Sequence, residues 1–117
     1  MLVDSHGRKV SYLRLSITDR CNLRCLYCRP QDDWVFIPHQ DILSYEEMFE
    51  LVDAARHAGV EKIRLTGGEP FARKDFIPFV ARLHRAFPEL DLRITTNATM
   101  LEGRVAAIHD AGVVCLN

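Results

Sequence analysis

The sequence lacks any long hydrophobic run: none of its 117 residues form a stretch near the ~18 apolar positions that a membrane-spanning helix needs. The segment from Met1 to Val10 also lacks the apolar centre of a signal peptide. These absences exclude a membrane partner and make the cytoplasm the expected compartment. An excess of either charge is missing too. With 15 Lys+Arg against 16 Asp+Glu the formal net charge is −1, so no long-range field draws the chain to nucleic acid or to an anionic surface. A polyanion bound here must be held by individual arginines. Internal repeats and low-complexity stretches are absent, and the length suits one ordinary domain with one core. Cysteine is scarce, at four residues, yet Cys21, Cys25 and Cys28 fall within one short segment. In a reducing compartment, clustered cysteines point to metal ligation or catalysis rather than to disulfides.

What is present is a regular alternation of element signals. Tyr12 to Thr18, Lys62 to Thr66 and Asp91 to Thr96 alternate apolar and polar residues with period two and are expected strands. Ser44 with Glu47 forms a capping box for a helix whose apolar stripe is Met48, Leu51, Val52 and Ala55 and which Gly59 stops. A second helix starts at Asp75 as N-cap, tolerates Pro78 in its first turn, buries Phe76, Phe79, Val80, Leu83 and Phe87, and ends before Pro88. A third runs from about Glu102 to Ala111 with Val105 and Ile108 inward, and Val113 to Leu116 make a fourth strand. Strand and helix alternating at this spacing predict an α/β fold of parallel βαβ units.

The strands are apolar on one side only, through Leu13, Leu15, Ile17, Ile63, Leu65, Leu92 and Ile94. The other side carries Arg14, Ser16 and Thr18; Lys62, Arg64 and Thr66; Arg93, Thr95 and Asn97. Helices covering the apolar side leave that polar side facing a wet concavity, as in an incompletely closed barrel. Ligands of such folds gather at the carboxyl ends of the strands.

Two special loops begin there. Asp19-Arg20-Cys21-Asn22-Leu23-Arg24-Cys25-Leu26-Tyr27-Cys28 has CxxxCxxC spacing, and three thiolates can hold three irons of a cubane cluster, leaving the fourth iron open. A zinc site would need a distant fourth ligand, for which Cys115 or one of the five histidines would have to serve. A redox pair would use Cys25 and Cys28 and leave Cys21 idle. Cys115, in an apolar strand, reads as a buried packing residue. After the second strand come Thr66-Gly67-Gly68-Glu69-Pro70. Its glycines make either a plain tight turn or a place where a ligand lies against backbone, and no lysine followed by Ser or Thr makes it a phosphate loop. The histidines are scattered without ligand spacing; Glu46, Glu47 and Glu50 read as a solvated helix face; Trp34 and Phe36 either roof the cysteine loop or pack it.

The cysteine spacing just past the first strand, with Tyr27 before the last cysteine, together with the Gly67-Gly68-Glu69-Pro70 motif, resembles the radical S-adenosylmethionine (SAM) superfamily. The resemblance implies the first part of a partial TIM-type barrel, with a 4Fe–4S cluster on Cys21, Cys25 and Cys28 and SAM on its open iron. It places Tyr27 near the adenine and Gly67, Gly68 and Glu69 at the methionine amino group. Asp4, Gly7-Arg8, Tyr12 through Asn22 and Lys62 through Pro70 further resemble the GTP 3′,8-cyclase family of molybdenum cofactor biosynthesis, which cyclises GTP to 3′,8-cyclo-7,8-dihydro-GTP. That resemblance implies Arg14, Arg64 and Thr95 as GTP contacts and an external electron donor. Two inward arginines suit a triphosphate because a guanidinium stays charged and binds phosphate through a planar fork; the alternative for each is an ion pair with Asp or Glu.

The sequence departs from the family at Arg29, where methionine is usual, and at Ala98, where the pattern Thr-Thr-Asn-Gly has glycine. Family members run to about three times this length and carry a second cysteine triad near the C-terminus. Residues 1–117 are therefore expected to be the N-terminal portion of a radical SAM core, cut within the fourth strand and lacking the C-terminal cluster domain. Impaired catalysis and self-association through the last strand's open edge, giving a homo-oligomer, are the expected consequences.

Overall fold

The computed structural model describes residues 1–21 and 38–117. Among the described residues the strands and α-helices follow in order: β1 (Leu2–Val3), β2 (Lys9–Val10), β3 (Tyr12–Ser16), α1 (Tyr45–His57), β4 (Lys62–Thr66), α2 (Phe76–Ala86), β5 (Asp91–Ile94), α3 (Val105–Asp110) and β6 (Val113–Leu116). Strands β3, β4, β5 and β6 lie side by side in that order, and every pairing is parallel. The α/β expectation holds. No helix among the described residues is long and apolar enough to cross a membrane.

Period-two alternation decides which face of the sheet is covered. Leu15, Ile17, Ile63, Leu65, Leu92 and Ile94 are all buried, and they pack against Met48 and Val52 of α1, Phe76, Phe79, Val80 and Leu83 of α2, and Ile108 of α3 in one hydrophobic core. Each such side chain contributes roughly 1.5–3 kcal/mol when fully buried. Because only one face is used, the row of polar side chains opposite remains open.

Helix α1 starts as the capping signal predicts: Ser44 Oγ accepts from Glu47 N at 3.1 Å. Its buried face is turned slightly from the expected stripe, so Leu51 is 41% exposed. The aromatics set that rotation, since Tyr45 stacks on Phe79 with ring centroids 4.5 Å apart and Phe49 meets Phe87 at 5.0 Å. Asp75 does precede α2, but its side chain makes no cap bond and its φ is +61°. Helix α3 is shorter than expected. The chain is still turning through Gly103, at φ +73°, so Val105 becomes the first helical residue and is 61% exposed, while Met100 and Leu101 pack against the core in its stead. The sequence reading also missed the β1–β2 hairpin, whose two-residue strands are too short to show a period. Asp4 makes its turn, accepting from His6 N and Arg8 N at 2.9 Å each.

Candidate active site at the strand carboxyl ends

The β3–β4 ladder continues beyond the strands proper. Ile17 N donates to Thr66 O at 2.9 Å, Gly68 N to Thr18 O at 2.7 Å and Glu69 N to Arg20 O at 2.7 Å. A Cβ on Gly67 would run into the carbonyl of Thr18, and one on Gly68 into the carbonyl of Arg20. The room the two glycines leave is thus taken by the chain's own backbone on its way to Cys21. Thr18 is itself buried, and its hydroxyl accepts from Arg20 N at 3.1 Å. These bonds deliver Cys21, half-buried, at the carboxyl edge of the sheet. Cys25, Cys28 and Tyr27 lie outside the described residues, as do Arg29, Trp34 and Phe36. Among the described residues no three His, Cys, Asp or Glu side chains converge on a metal position.

Glu69 has no solvent exposure at all. Its Oε1 accepts from Thr96 Oγ1 at 2.6 Å and from Phe71 N at 3.3 Å, and its Oε2 accepts from Asn97 N at 2.7 Å. A carboxylate out of water requires such partners, and here they come from the turn after β5 as well as from its own. Glu69 therefore ties the β4 turn to the β5 turn. Asn97 Oδ1 in turn accepts from Thr99 N at 3.1 Å and Thr99 Oγ1 at 2.7 Å, while its Nδ2 lies 3.7 Å from Cys21 Sγ. Sequence reasoning placed Asn97 on the polar side but gave neither it nor Thr96 a role. A polar Thr96-Asn97 pair leaving a strand end was the available signal.

On the open face the register aligns Arg14 with Arg64 and Arg64 with Arg93 in one row across three strands. The three arginines differ in what balances them. Arg93 is held by Asp91 through a fork, Nε to Oδ1 and Nη2 to Oδ2, both at 2.9 Å, and this bonding holds the Asp91 carboxyl below its ordinary range. Among the described residues Arg64 is bonded by neutral oxygens: its Nε donates to Tyr12 Oη at 2.7 Å, and its Nη1 to Asn117 Oδ1 at 2.9 Å and Thr95 Oγ1 at 3.3 Å. Arg14 is exposed and has no carboxylate partner among the described residues. Among the described residues an ion pair forms at Arg93, and neither Arg14 nor Arg64 has a carboxylate partner. The structure brings Arg14, Arg64 and Thr95 together on one face of the sheet.

Cys115 was expected to be buried and is only half-buried. The cause is a register shift between Leu92 and Arg93: Leu92 pairs with Val113 but Arg93 pairs with Cys115, so Val114 is skipped and becomes 65% exposed. The shift moves Cys115 onto the polar row, where its thiol donates to Asn117 Oδ1 at 3.1 Å.

Comparison with known proteins adds family and extent. Residues 15–117 match the family model described as the Radical SAM superfamily. The chain is 46% identical over 117 residues to a GTP 3′,8-cyclase of Sulfurovum sp. (strain NBC37-1), covering 100% of this chain and 36% of that protein. It is 50% identical over 117 residues to a GTP 3′,8-cyclase of Nautilia profundicola, covering 100% of this chain and 37% of that one. The chain therefore spans little more than a third of these relatives' length. Among solved structures, BtrN in complex with AdoMet and 2-DOIA is similar in fold, with a TM-score of 0.64 at 22% identity over 93% of this chain and 45% of that one.

Proposed function

The chain belongs to the radical SAM superfamily, and from that premise we propose that it is the cluster-bearing front of a GTP 3′,8-cyclase, the molybdenum cofactor enzyme that acts on GTP. The observation that carries this reading is the pair Arg14 and Arg64 on β3 and β4, neither with a carboxylate partner among the described residues, on the same two strands whose continued ladder delivers Cys21. Anion recognition and cluster ligation are thereby built on one strand pair.

The residues present fit a 4Fe–4S cluster. Cys21 stands at the strand end with an amide N–H facing its sulfur at 3.7 Å, a partner suited to a metal-bound thiolate. Cys25 and Cys28 supply the other two thiolates. When bound, the cluster and SAM supply reductive cleavage of SAM and a carbon radical that takes hydrogen from the substrate, with the electron coming from an external donor. The protein's own groups bind and orient. Tyr27 would lie by the adenine. The Cβ side of Gly67 and Gly68 is closed by the Thr18 and Arg20 carbonyls, so the two glycines would meet the methionine amino group through their main-chain oxygens, and Glu69, committed to Thr96, Asn97 and Phe71, would fix that turn from behind. Arg14 and Arg64 take the phosphates of GTP, with Thr95 beside Arg64. A reducing cytoplasm is the setting in which these thiols stay available.

Titration calorimetry with GTP tests the substrate assignment on the anaerobically reconstituted chain. Loss of one charged hydrogen-bonding group costs on the order of 1.5–3 kcal/mol, so Arg14→Ala and Arg64→Ala should each weaken binding by roughly 10-fold or more. Arg93→Ala, whose charge is already balanced by Asp91, should change it least. Equal affinity across wild type, Arg14→Ala and Arg64→Ala would sink the assignment.

A further inference from the structure

The bond from Asn97 to Cys21 reaches from one strand end to another, and its geometry is over-determined for a surface amide. We propose that Asn97 is a positioning residue for the cluster, donating its side-chain N–H to the ligating sulfur of Cys21 and holding the cluster's reduction potential above the value it would otherwise take. The proposal rests on the radical SAM reading and goes beyond it by naming a residue outside the cysteine and glycine motifs.

Three features of the chain support it. First, which end of the amide faces the sulfur is settled by the network, because both Thr99 N and Thr99 Oγ1 donate to Asn97 Oδ1, at 3.1 and 2.7 Å, leaving Nδ2 toward Cys21. Second, the backbone of Asn97 is pinned by Glu69 Oε2 at 2.7 Å, from a carboxylate with no exposure to water. Burying a charge is costly, so its three chain donors amount to a rigid mount. Third, the turn is held in a conformation that alanine disfavours, since Ala98 has φ +66° and its N–H is bonded to Thr96 Oγ1 at 3.1 Å. The pieces form a continuous path from Glu69 through Asn97 to Cys21. A hydrogen bond donated to a cluster sulfur stabilises the more negative, reduced state, and removing it lowers the potential.

The test compares reconstituted wild type with Asn97→Asp, Asn97→Ala and Thr99→Val. Iron content, circular dichroism and an EPR-monitored redox titration are the readouts, none of which needs turnover. Asn97→Asp keeps an acceptor for Thr99 but replaces the donor with a negative charge, whereas Asn97→Ala removes the donor without adding charge, so a negative shift in both is required. We expect both to retain native circular dichroism and to shift the midpoint to more negative potential, with a smaller shift for Thr99→Val, which only loosens the amide. A folded variant that loses iron altogether also supports the positioning role. Unchanged midpoints and iron content in folded Asn97→Asp would overturn it, and that variant carries the test if Asn97→Ala fails to fold. A wild type that takes up no iron overturns the radical SAM reading itself, an outcome visible before any variant is compared.

Discussion

Replacing Ala98 with glycine should stabilise the protein, against the usual rule that glycine weakens a fold. Ala98 sits at φ +66°, in the left-handed region, where a residue with a Cβ loses roughly 1–2 kcal/mol relative to ordinary backbone. Glycine removes that penalty but admits more freedom to the unfolded chain, which costs about 0.4–1 kcal/mol. The balance favours Ala98→Gly by about 0.5–1 kcal/mol. For a chain of this size a 1 kcal/mol change moves the melting midpoint by roughly 4 °C, so a rise of about 2–4 °C is expected by circular dichroism. Urea melts should show a higher midpoint at an unchanged slope. Ala98→Val, which adds a β-branched side chain in the same region, should move both in the opposite direction. The resembling family has glycine at this position, so the variant restores a turn that the alanine strains. A fall in stability for Ala98→Gly, or equal stability for Gly and Val, would refute the left-handed turn and with it the placement of Asn97.

Glu69→Ala should be among the most damaging single changes, because it leaves the Thr96 hydroxyl and the Asn97 N–H without their buried acceptor. A loss of about 3 kcal/mol or more in urea unfolding is expected, with Glu69→Gln less severe. The Asp91 carboxyl is held low by Arg93, so the pair's contribution is present above the ordinary carboxylate range and is lost as pH falls through and below it. Asp91→Asn should flatten that acid limb by at most ~1 kcal/mol, since the pair is partly exposed. Burial pushes the Tyr45 hydroxyl up to about 12, so tyrosinate absorbance should show one group titrating well above the ordinary value of 10. Stability should then fall as pH rises from about 10 to 12, because the unfolded chain ionises first.

The sequence made legible whatever depends on local periodicity. The two faces of β3, β4 and β5 follow from alternation alone, which is why the sequence puts Arg14, Arg64 and Thr95 on one side. The Ser44 cap is equally local, a hydroxyl three residues from the N–H it accepts. What escaped depends on distant partners or on a change of period. Glu69 meets Thr96 and Asn97, residues 27 and 28 positions away, and no pattern near residue 69 announces it. The glycines of the same turn allow either a tight turn or a ligand against backbone, and only the structure shows that the carbonyls of Thr18 and Arg20 stand on their Cβ side. Cys115 changed faces because one register shift reverses the parity of every following side chain. Leu51 and Val105 were misplaced for a related reason, since aromatic contacts and a late helix start rotate a face that hydrophobicity alone cannot orient finely.

The central claim is that Cys21, Cys25 and Cys28 hold a 4Fe–4S cluster with one iron open to SAM, and the EPR spectrum of the anaerobically reconstituted, reduced chain tests it most directly. The account predicts a cluster signal that changes when SAM is added and that disappears in Cys21→Ala. A wild-type protein without that signal, or with a signal indifferent to SAM, would contradict it.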